Sequence, residues 1–465
     1  MLGQFTVNLE VVGTCNLRCP SCPVGNFGKA RVAGSIGGTM DVALFGKILE
    51  KLQAELLGRY SDVFLALYSW GEPLIHPKIG QLVSMSRQAG FRVGLSSNLN
   101  FTRNLESAIA AGPDEFVVSL SGFFQDNYKQ SHTNGDIEDV KVNLRTLSDL
   151  ITRHGYRTKV FLHYHCYTHN SGDDIVFMAQ LCEELRFTFI PGIAYYMPVE
   201  NMLKATRGDL PEADSDIVEK LLVPISDQLK IASAHAKDST TCELVENRID
   251  IDVDGAVKLC CSSFDRANNV AHDYLSSSFT EIQSRRAKAL LCGPCMDQGI
   301  YRVYTLKDYS TWRQLANERL ADIDSPLRFT DTGERIEGVE GEIPLLSAAV
   351  RLMNDGNLDD ARSTKCRLDA LIERKYGAAA TTISGIMMRL RDGQKLLGAR
   401  LPQNPLLYFF IEAALLRNLE GRPEESRLLL QELQVLADIL TDNVEYRPHI
   451  EALRPIIDDW FSLPV

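Results

Sequence analysis

The sequence predicts an α/β fold of alternating strands and helices, then a small α+β segment, then an all-helical tail. Three observations carry this. From Phe5 to Met197, apolar strand-like runs alternate with amphipathic helical stretches. Between Arg248 and Leu259, polar–apolar alternation flanks Asp254-Gly255. Beyond residue 343 the pattern is helical throughout. A chain of 465 residues exceeds one compact core, so several domains are expected. The boundaries fall at 1–198, a helical bridge at 199–240, a compact segment at 241–325, a linker at 326–342 and a helical domain at 343–465.

The first strand is Val7-Asn8-Leu9-Glu10-Val11-Val12, and Gly13-Thr14 turns it into a loop. Met40 to Leu57 is helical, with Leu44, Ile48, Leu52 and Leu56 on one face. The unbroken apolar run Val63 to Tyr68 reads as a buried strand. Helix Ile79 to Ala89 ends at Gly90, and strand Phe91 to Leu95 follows. Next come helix Leu105 to Ala111, strand Phe116 to Leu120, and a long helix from Ile137 to His154 closed by Gly155. Strand Val160 to Tyr164, helix Asp173 to Leu185 with Asp173 or Asp174 as its cap, and strand Phe187 to Ile190 complete the series. Six β/α repeats imply a parallel sheet with helices outside and ligands near the carboxyl ends of the strands.

Later segments have other patterns. Met202 to Lys237 is helical and polar. Arg248 to Val253 and Ala256 to Leu259 form a hairpin about Asp254-Gly255, and Phe279 to Leu291 is a helix. Asp331 to Glu342 is acidic and Gly-rich, as a boundary would be. In the tail, helices run Pro344–Asn354, Leu358–Tyr376, Leu406–Leu419 and Pro423–Ile439. The turns Gly356-Asn357-Leu358 and Gly421-Arg422-Pro423 recur at about twice the tetratricopeptide period, consistent with a degenerate helical repeat.

Hydrophobic residues at 45% and charged ones at 24% are ordinary for a globular protein and argue against disorder. No apolar run reaches spanning length, and Met1-Leu2-Gly3-Gln4 lacks the basic and apolar regions of a signal peptide. A cytoplasmic protein without a membrane partner is expected. The net charge of −12 argues against nucleic acid as a partner.

The chemistry is carried by cysteines. Cys15, Cys19 and Cys22 lie in one loop just after the first strand. Cys242, Cys260, Cys261, Cys292 and Cys295 form a second group, and Cys166, Cys182 and Cys366 stand alone among apolar neighbours as packing thiols. A structural zinc site wants four closed ligands, and the front loop supplies three. A [4Fe–4S] cube held by three thiolates instead leaves one iron open to a chelating ligand. In the second group, two thiols at a hairpin's ends plus Cys292-Gly293-Pro294-Cys295 make four ligands, which suits either a fully ligated cube or zinc.

The Cys15-Asn16-Leu17-Arg18-Cys19-Pro20-Ser21-Cys22 spacing resembles the signature of the radical S-adenosylmethionine (radical SAM) superfamily. That resemblance implies a partial (β/α)6 TIM-type barrel with Cys15, Cys19 and Cys22 as metal ligands and SAM on the open iron. Trp70-Gly71-Glu72-Pro73 resembles the family's Gly-Gly-Glu-Pro segment, with Trp70 in place of the commoner Gly. Gly71, Glu72 and Pro73 would then meet the SAM amino group, since an ammonium needs carbonyls and a carboxylate around it. Asn98, Ser119 and Ser121 stand at ends of the third and fourth strands, where relatives place polar groups near the cofactor. Small polar residues there also serve as caps and turns. His163 and His165 flank Tyr164, so alternation puts both on one side of the sheet. They are the candidate catalytic proton acceptors, though a core histidine satisfied by its neighbours fits the same pattern.

The second group resembles the "twitch" version of the SPASM-type auxiliary-cluster domain, with Cys242, Cys260, Cys292 and Cys295 as ligands. Cys261 would point to the opposite face. Two [4Fe–4S] clusters and SAM are thus the cofactors the resemblance implies, with a flavodoxin or ferredoxin-type electron donor. The activity implied is reductive cleavage of SAM to a 5′-deoxyadenosyl radical, hydrogen abstraction from a small metabolite or peptide side chain, and net oxidation through the second cluster. A maturase or epimerase of a ribosomally made peptide, docked on the helical tail, is the alternative within enzymes. A zinc-stabilised scaffold is the alternative outside them.

Overall fold

The computed structural model describes residues 2–26, 37–211, 214–236, 241–331 and 333–336, together with 414, 417 and 422–440. It divides into two compact units, Met1–Glu337 and Gly338–Val465.

The first unit holds one parallel sheet. Its strands are β1 (Leu2–Leu9), β2 (Tyr60–Ala66), β3 (Arg92–Ser97), β4 (Glu115–Ser119), β5 (Lys159–Cys166), β6 (Thr188–Ile193) and β7 (Arg248–Ile251). They lie in the order β6-β5-β4-β3-β2-β1-β7. The first six are neighbours in chain order, each reached by a helical crossover, which is what parallel pairing requires. This is the parallel sheet that the alternation predicts, in the α/β partial barrel that the resemblance implies. Phe5, Val7 and Leu9 of β1 are fully buried, as are Leu65, Val93, Leu95, Phe116 and Val118 on the next strands.

Local chemistry sets the helices. Helix Val42–Leu56 starts where the Asp41 carboxylate accepts the N–H groups of Ala43 (2.8 Å) and Leu44 (3.1 Å). It buries Phe45, Ile48, Leu49, Leu52 and Leu56. Helix Ile137–His154 is capped by Asp136 and ends at Gly155 in the left-handed region at φ 62°.

Several expectations are corrected. Neither Asp173 nor Asp174 caps helix Asp173–Glu184, whose cap position is Gly172. Asp174 is instead buried, accepting the N–H groups of Phe123 (2.7 Å) and Phe124 (3.0 Å) and the Asn127 amide (2.6 Å). Helix Gln125–Ser131, almost wholly polar, has no apolar period to announce it. The helix expected to reach Leu291 ends at Ala287, and Cys292–Asp297 is itself helical. Among the described residues, the bridge after residue 198 includes the helices Val199–Ala205, Ser215–Val218 and Ile225–Ala234. Part of the expected linker is a hairpin, β8 (Leu327–Thr330) on β9 (Gly333–Ile336).

The hairpin about Asp254-Gly255 also differs. Its first arm, β7, joins the main sheet in parallel, Thr6 opposite Arg248 and Leu9 opposite Ile251. Its return arm still pairs back, Lys258 N–H to the Asp250 carbonyl at 2.9 Å and Asp252 N–H to that of Ala256 at 2.7 Å. The physical reason is that β1 would otherwise leave a row of unpaired backbone groups at the sheet edge. The cysteine-rich segment therefore grows from the barrel rather than standing apart from it.

In the second unit, Pro423–Leu440 is a helix, close to the expected span. The expected helices Pro344–Asn354 and Leu358–Tyr376, the Gly356 turn and Cys366 lie outside the described residues, and of Leu406–Leu419 only Ala414 and Arg417 are described, both helical. Among the described residues, no helix is long and apolar enough to cross a membrane.

Candidate active site

The front cysteines sit where the sheet's carboxyl ends open into a cavity of about 290 Å³. Cys15, Cys19 and Cys22 line it, together with the turn Ser69-Trp70-Gly71-Glu72 after β2. The cysteine loop folds back on itself, with the Cys22 N–H on the Cys19 carbonyl at 3.2 Å. Gly25 is needed here, since a Cβ would come within 2.5 Å of the Cys19 nitrogen. Cys15 Sγ accepts the Leu17 N–H at 3.4 Å and the Asn98 amide at 3.5 Å.

Electrostatics describe what these thiols fit. Burial pushes Cys15 up to about 12, and it pushes Cys19 and Cys22 up as well. Cys19 is raised further by the charges its neighbours Cys22 and Cys15 would carry. Three adjacent thiolates in a half-buried loop become favourable when a cationic metal group neutralises them. Three thiols lining one cavity are the donor set that a cube with one open iron takes, whereas a closed zinc site would need a fourth ligand.

Glu72 is 2% exposed, and its oxygens accept the N–H groups of Leu74 (3.0 Å) and Asn98 (2.9 Å). Burial raises its carboxyl to about 7, although both N–H groups pull the other way. A buried carboxyl held near neutrality and facing a cavity is poised to ionise when a cation arrives.

The structure brings Gly71, Glu72, Asn98, Ser119 and Ser121 to the cavity wall. Pro73 is buried at the start of the 3-10 turn Pro73–Ile75 and does not line it. His165 lines it and His163 does not. The His165 backbone N–H donates to Ser121 Oγ at 3.0 Å. Desolvation at the cavity wall, then the neighbouring His163, lowers the His165 imidazole to about 4 although its side chain stays open to the cavity, so the ring is neutral at pH 7. The sequence reading missed Ser131, His132, Tyr167, Tyr195 and Met197 on the same wall. The His132 ring stacks on Tyr128 (centroids 4.8 Å apart), and burial lowers it to about 3. These residues come from loops and strand ends with no motif spacing, so no sequence signal could have gathered them.

The second cysteine group lies in the same unit. Cys242 caps the short helix Glu243–Glu246, and Cys292 and Cys295 are one turn apart on Cys292–Asp297. Burial pushes Cys295 up to about 12, and the charges of Cys242 and Cys292 add to it. Tyr304 feels both Cys295 and Cys260. Cys261 Sγ accepts Nη1–H of Arg248 at 3.4 Å. The side chains of Tyr195, on the cavity wall, and Tyr304 meet edge to face, with centroids 5.8 Å apart.

A parallel α/β barrel segment with a cavity at the mouth of its first strand is the architecture of an enzyme domain. Residues 9–180 match the family model of the Radical SAM superfamily, and this part of the chain is a radical SAM domain. Over 90 residues the chain is 32% identical to the tungsten-containing aldehyde ferredoxin oxidoreductase cofactor-modifying protein of Pyrococcus furiosus, an alignment spanning 19% of this chain and 22% of that protein. Among solved structures, anSMEcpe with bound AdoMet matches at 12% identity and TM-score 0.42, covering 69% of this chain and 99% of that one. SuiB of Streptococcus suis bound to its precursor peptide SuiA matches at 12% and 0.40, covering 61% and 65%. BtrN in complex with AdoMet and 2-DOIA matches at 15% and 0.35, covering 63% and 87%.

Proposed function

We propose that the protein is a radical SAM oxidoreductase acting on a small metabolite or a peptide side chain, with two [4Fe–4S] clusters and a flavodoxin or ferredoxin-type electron donor. The observation that carries this reading is the meeting of Cys15, Cys19 and Cys22 with the Glu72 carboxyl in one cavity. In this reading the three thiolates hold the first cluster, and the chemistry supplied when cluster and SAM are bound is reductive cleavage of SAM to methionine and a 5′-deoxyadenosyl radical that takes a hydrogen atom from the substrate.

The chain's own residues do the rest. Glu72 ionises against the SAM ammonium, and Asn98 bridges it to the cysteine loop, its N–H on Glu72 and its side-chain amide on Cys15. Ser119 and Ser121 offer hydroxyls to the cofactor side of the cavity. His165, neutral at pH 7, accepts the proton that an oxidised substrate radical releases. A weak base suffices because loss of an electron makes that proton strongly acidic. Cys242, Cys260, Cys292 and Cys295 would hold a second cluster, which would supply an electron acceptor, while Cys261 Sγ takes a hydrogen bond from Arg248. The Tyr195–Tyr304 contact supports this by spanning from the cavity wall to a ring in the field of Cys295 and Cys260.

Anaerobic reconstitution tests the reading. About eight irons per chain are expected, with 5′-deoxyadenosine formed under dithionite. Replacing Cys15, Cys19 and Cys22 with Ala should abolish cleavage. Cys292→Ala with Cys295→Ala should spare uncoupled cleavage and remove product. Equal turnover in that variant refutes the acceptor role, and stable zinc without iron refutes the whole reading.

A further inference from the structure

A buried ion pair beside the cavity has no part in the roles above. Glu10, one residue beyond β1, and Lys258, on the return arm of the hairpin, are each 4% exposed. Lys258 Nζ donates to Glu10 Oε2. The other oxygen, Oε1, accepts two successive backbone N–H groups, of Trp70 at 3.0 Å and Gly71 at 3.1 Å.

Those two bonds fix how the turn faces. Among the described residues the cis peptide is Met197-Pro198, so the peptides on either side of Trp70 are trans. In a trans peptide the carbonyl points opposite to the N–H. The carbonyls of Ser69 and Trp70 therefore turn away from Glu10, on a turn that lines the cavity. The turn has little room to relax otherwise. A Cβ on Gly71 would lie 1.9 Å from the Val12 carbonyl oxygen, and the Glu72 N–H is tied to the Thr14 carbonyl at 2.9 Å. The hairpin side is braced too. Lys258 Nζ stands 4.0 Å from Asp252, which binds Arg266 at 2.7 Å, and the Trp70 ring meets Phe264 edge-on at 5.8 Å.

We propose that Glu10 and Lys258 are positioning residues: Glu10 aims the Ser69 and Trp70 carbonyls at the SAM ammonium, and Lys258 ties that aim to the hairpin that carries Cys260. The proposal rests on the reading of this cavity as the SAM site. It makes the cysteine-rich segment a structural part of cofactor binding, whether or not that segment also carries an electron.

The experiment uses Glu10→Gln, Lys258→Met and the double variant. Two readouts are taken. In cluster-free protein, hydrogen exchange at the Trp70 and Gly71 amides should speed up in each single variant more than at amides elsewhere on β2. In cluster-loaded protein, the dissociation constant for SAM should rise about tenfold in each, the scale of weakening one charged hydrogen bond. The double variant should be no worse than either single, because the pair acts as a unit. At saturating SAM, kcat for uncoupled cleavage should stay within about twofold of wild type. A buried ion pair can be replaced by a neutral pair with little loss of stability, so the double variant remains measurable if a single one fails to fold. SAM affinity within twofold of wild type in the folded variants, or no local change in exchange, overturns the proposal. Failure of the wild-type protein itself to bind SAM would instead refute the reading of the cavity.

Discussion

Replacing Glu72 with Gln tests the cavity's electrostatics most directly. The carboxyl is 2% exposed, and burial raises it to about 7 from an ordinary 4.5, against the pull of the Leu74 and Asn98 N–H groups. That difference corresponds to about 3 kcal/mol of unfavourable ionisation. The native state binds the extra proton between these two values. Glu72's own contribution to the stability of the ligand-free protein is therefore greatest below about 4.5, falls as pH rises towards 7, and is flat again above. An ammonium brought against the carboxylate reverses the balance, so SAM binding should release a proton. Measured by equilibrium dialysis on cluster-loaded protein, wild-type SAM affinity should weaken about tenfold for each pH unit below 7. Glu72→Gln should bind about a hundredfold more weakly at pH 8, with no such slope, because a charged hydrogen bond is lost along with the titrating group. A flat wild-type profile between pH 5.5 and 8, or a slope retained by the Gln variant, would sink the assignment of Glu72 to the ammonium.

Two further outcomes are expected. Tyr304→Leu breaks the aromatic contact with Tyr195, so freeze-quenched samples should show slower reduction of the second cluster while SAM cleavage persists. Tyr304→Phe keeps the ring and should behave as wild type, and equal rates in both variants would remove the pair from the electron's route. Gly71→Ala forces a Cβ to within 1.9 Å of the Val12 carbonyl. Overpacking against backbone should cost about 1–3 kcal/mol in denaturant unfolding and weaken SAM binding. Unchanged stability would mean that the turn is free to move.

Much of the fold was legible because it is written in short-range patterns. The six alternating strands follow from unbroken apolar runs such as Leu65-Ala66-Leu67, and helix ends from glycines such as Gly155. Where the reading failed, a long-range contact had won. Asp174 looks like a helix cap locally, yet its carboxylate is claimed by the Phe123 and Phe124 N–H groups some fifty positions away. The hairpin arm Arg248–Ile251 looks self-sufficient, yet it completes the sheet edge beside β1.

The site divides in the same way. Cys15, Cys19, Cys22, Gly71 and Glu72 lie in two short segments that resemble the family's motifs, because each motif is a run of neighbouring residues that the sequence shows directly. His132, Tyr167 and Tyr195 join them on the cavity wall only through folding, since parallel strands bring their carboxyl ends together from distant parts of the chain. Glu10 and Lys258 are the extreme case. They are 248 positions apart, unremarkable in the sequence, and paired because two buried charges must find each other in a place water cannot reach.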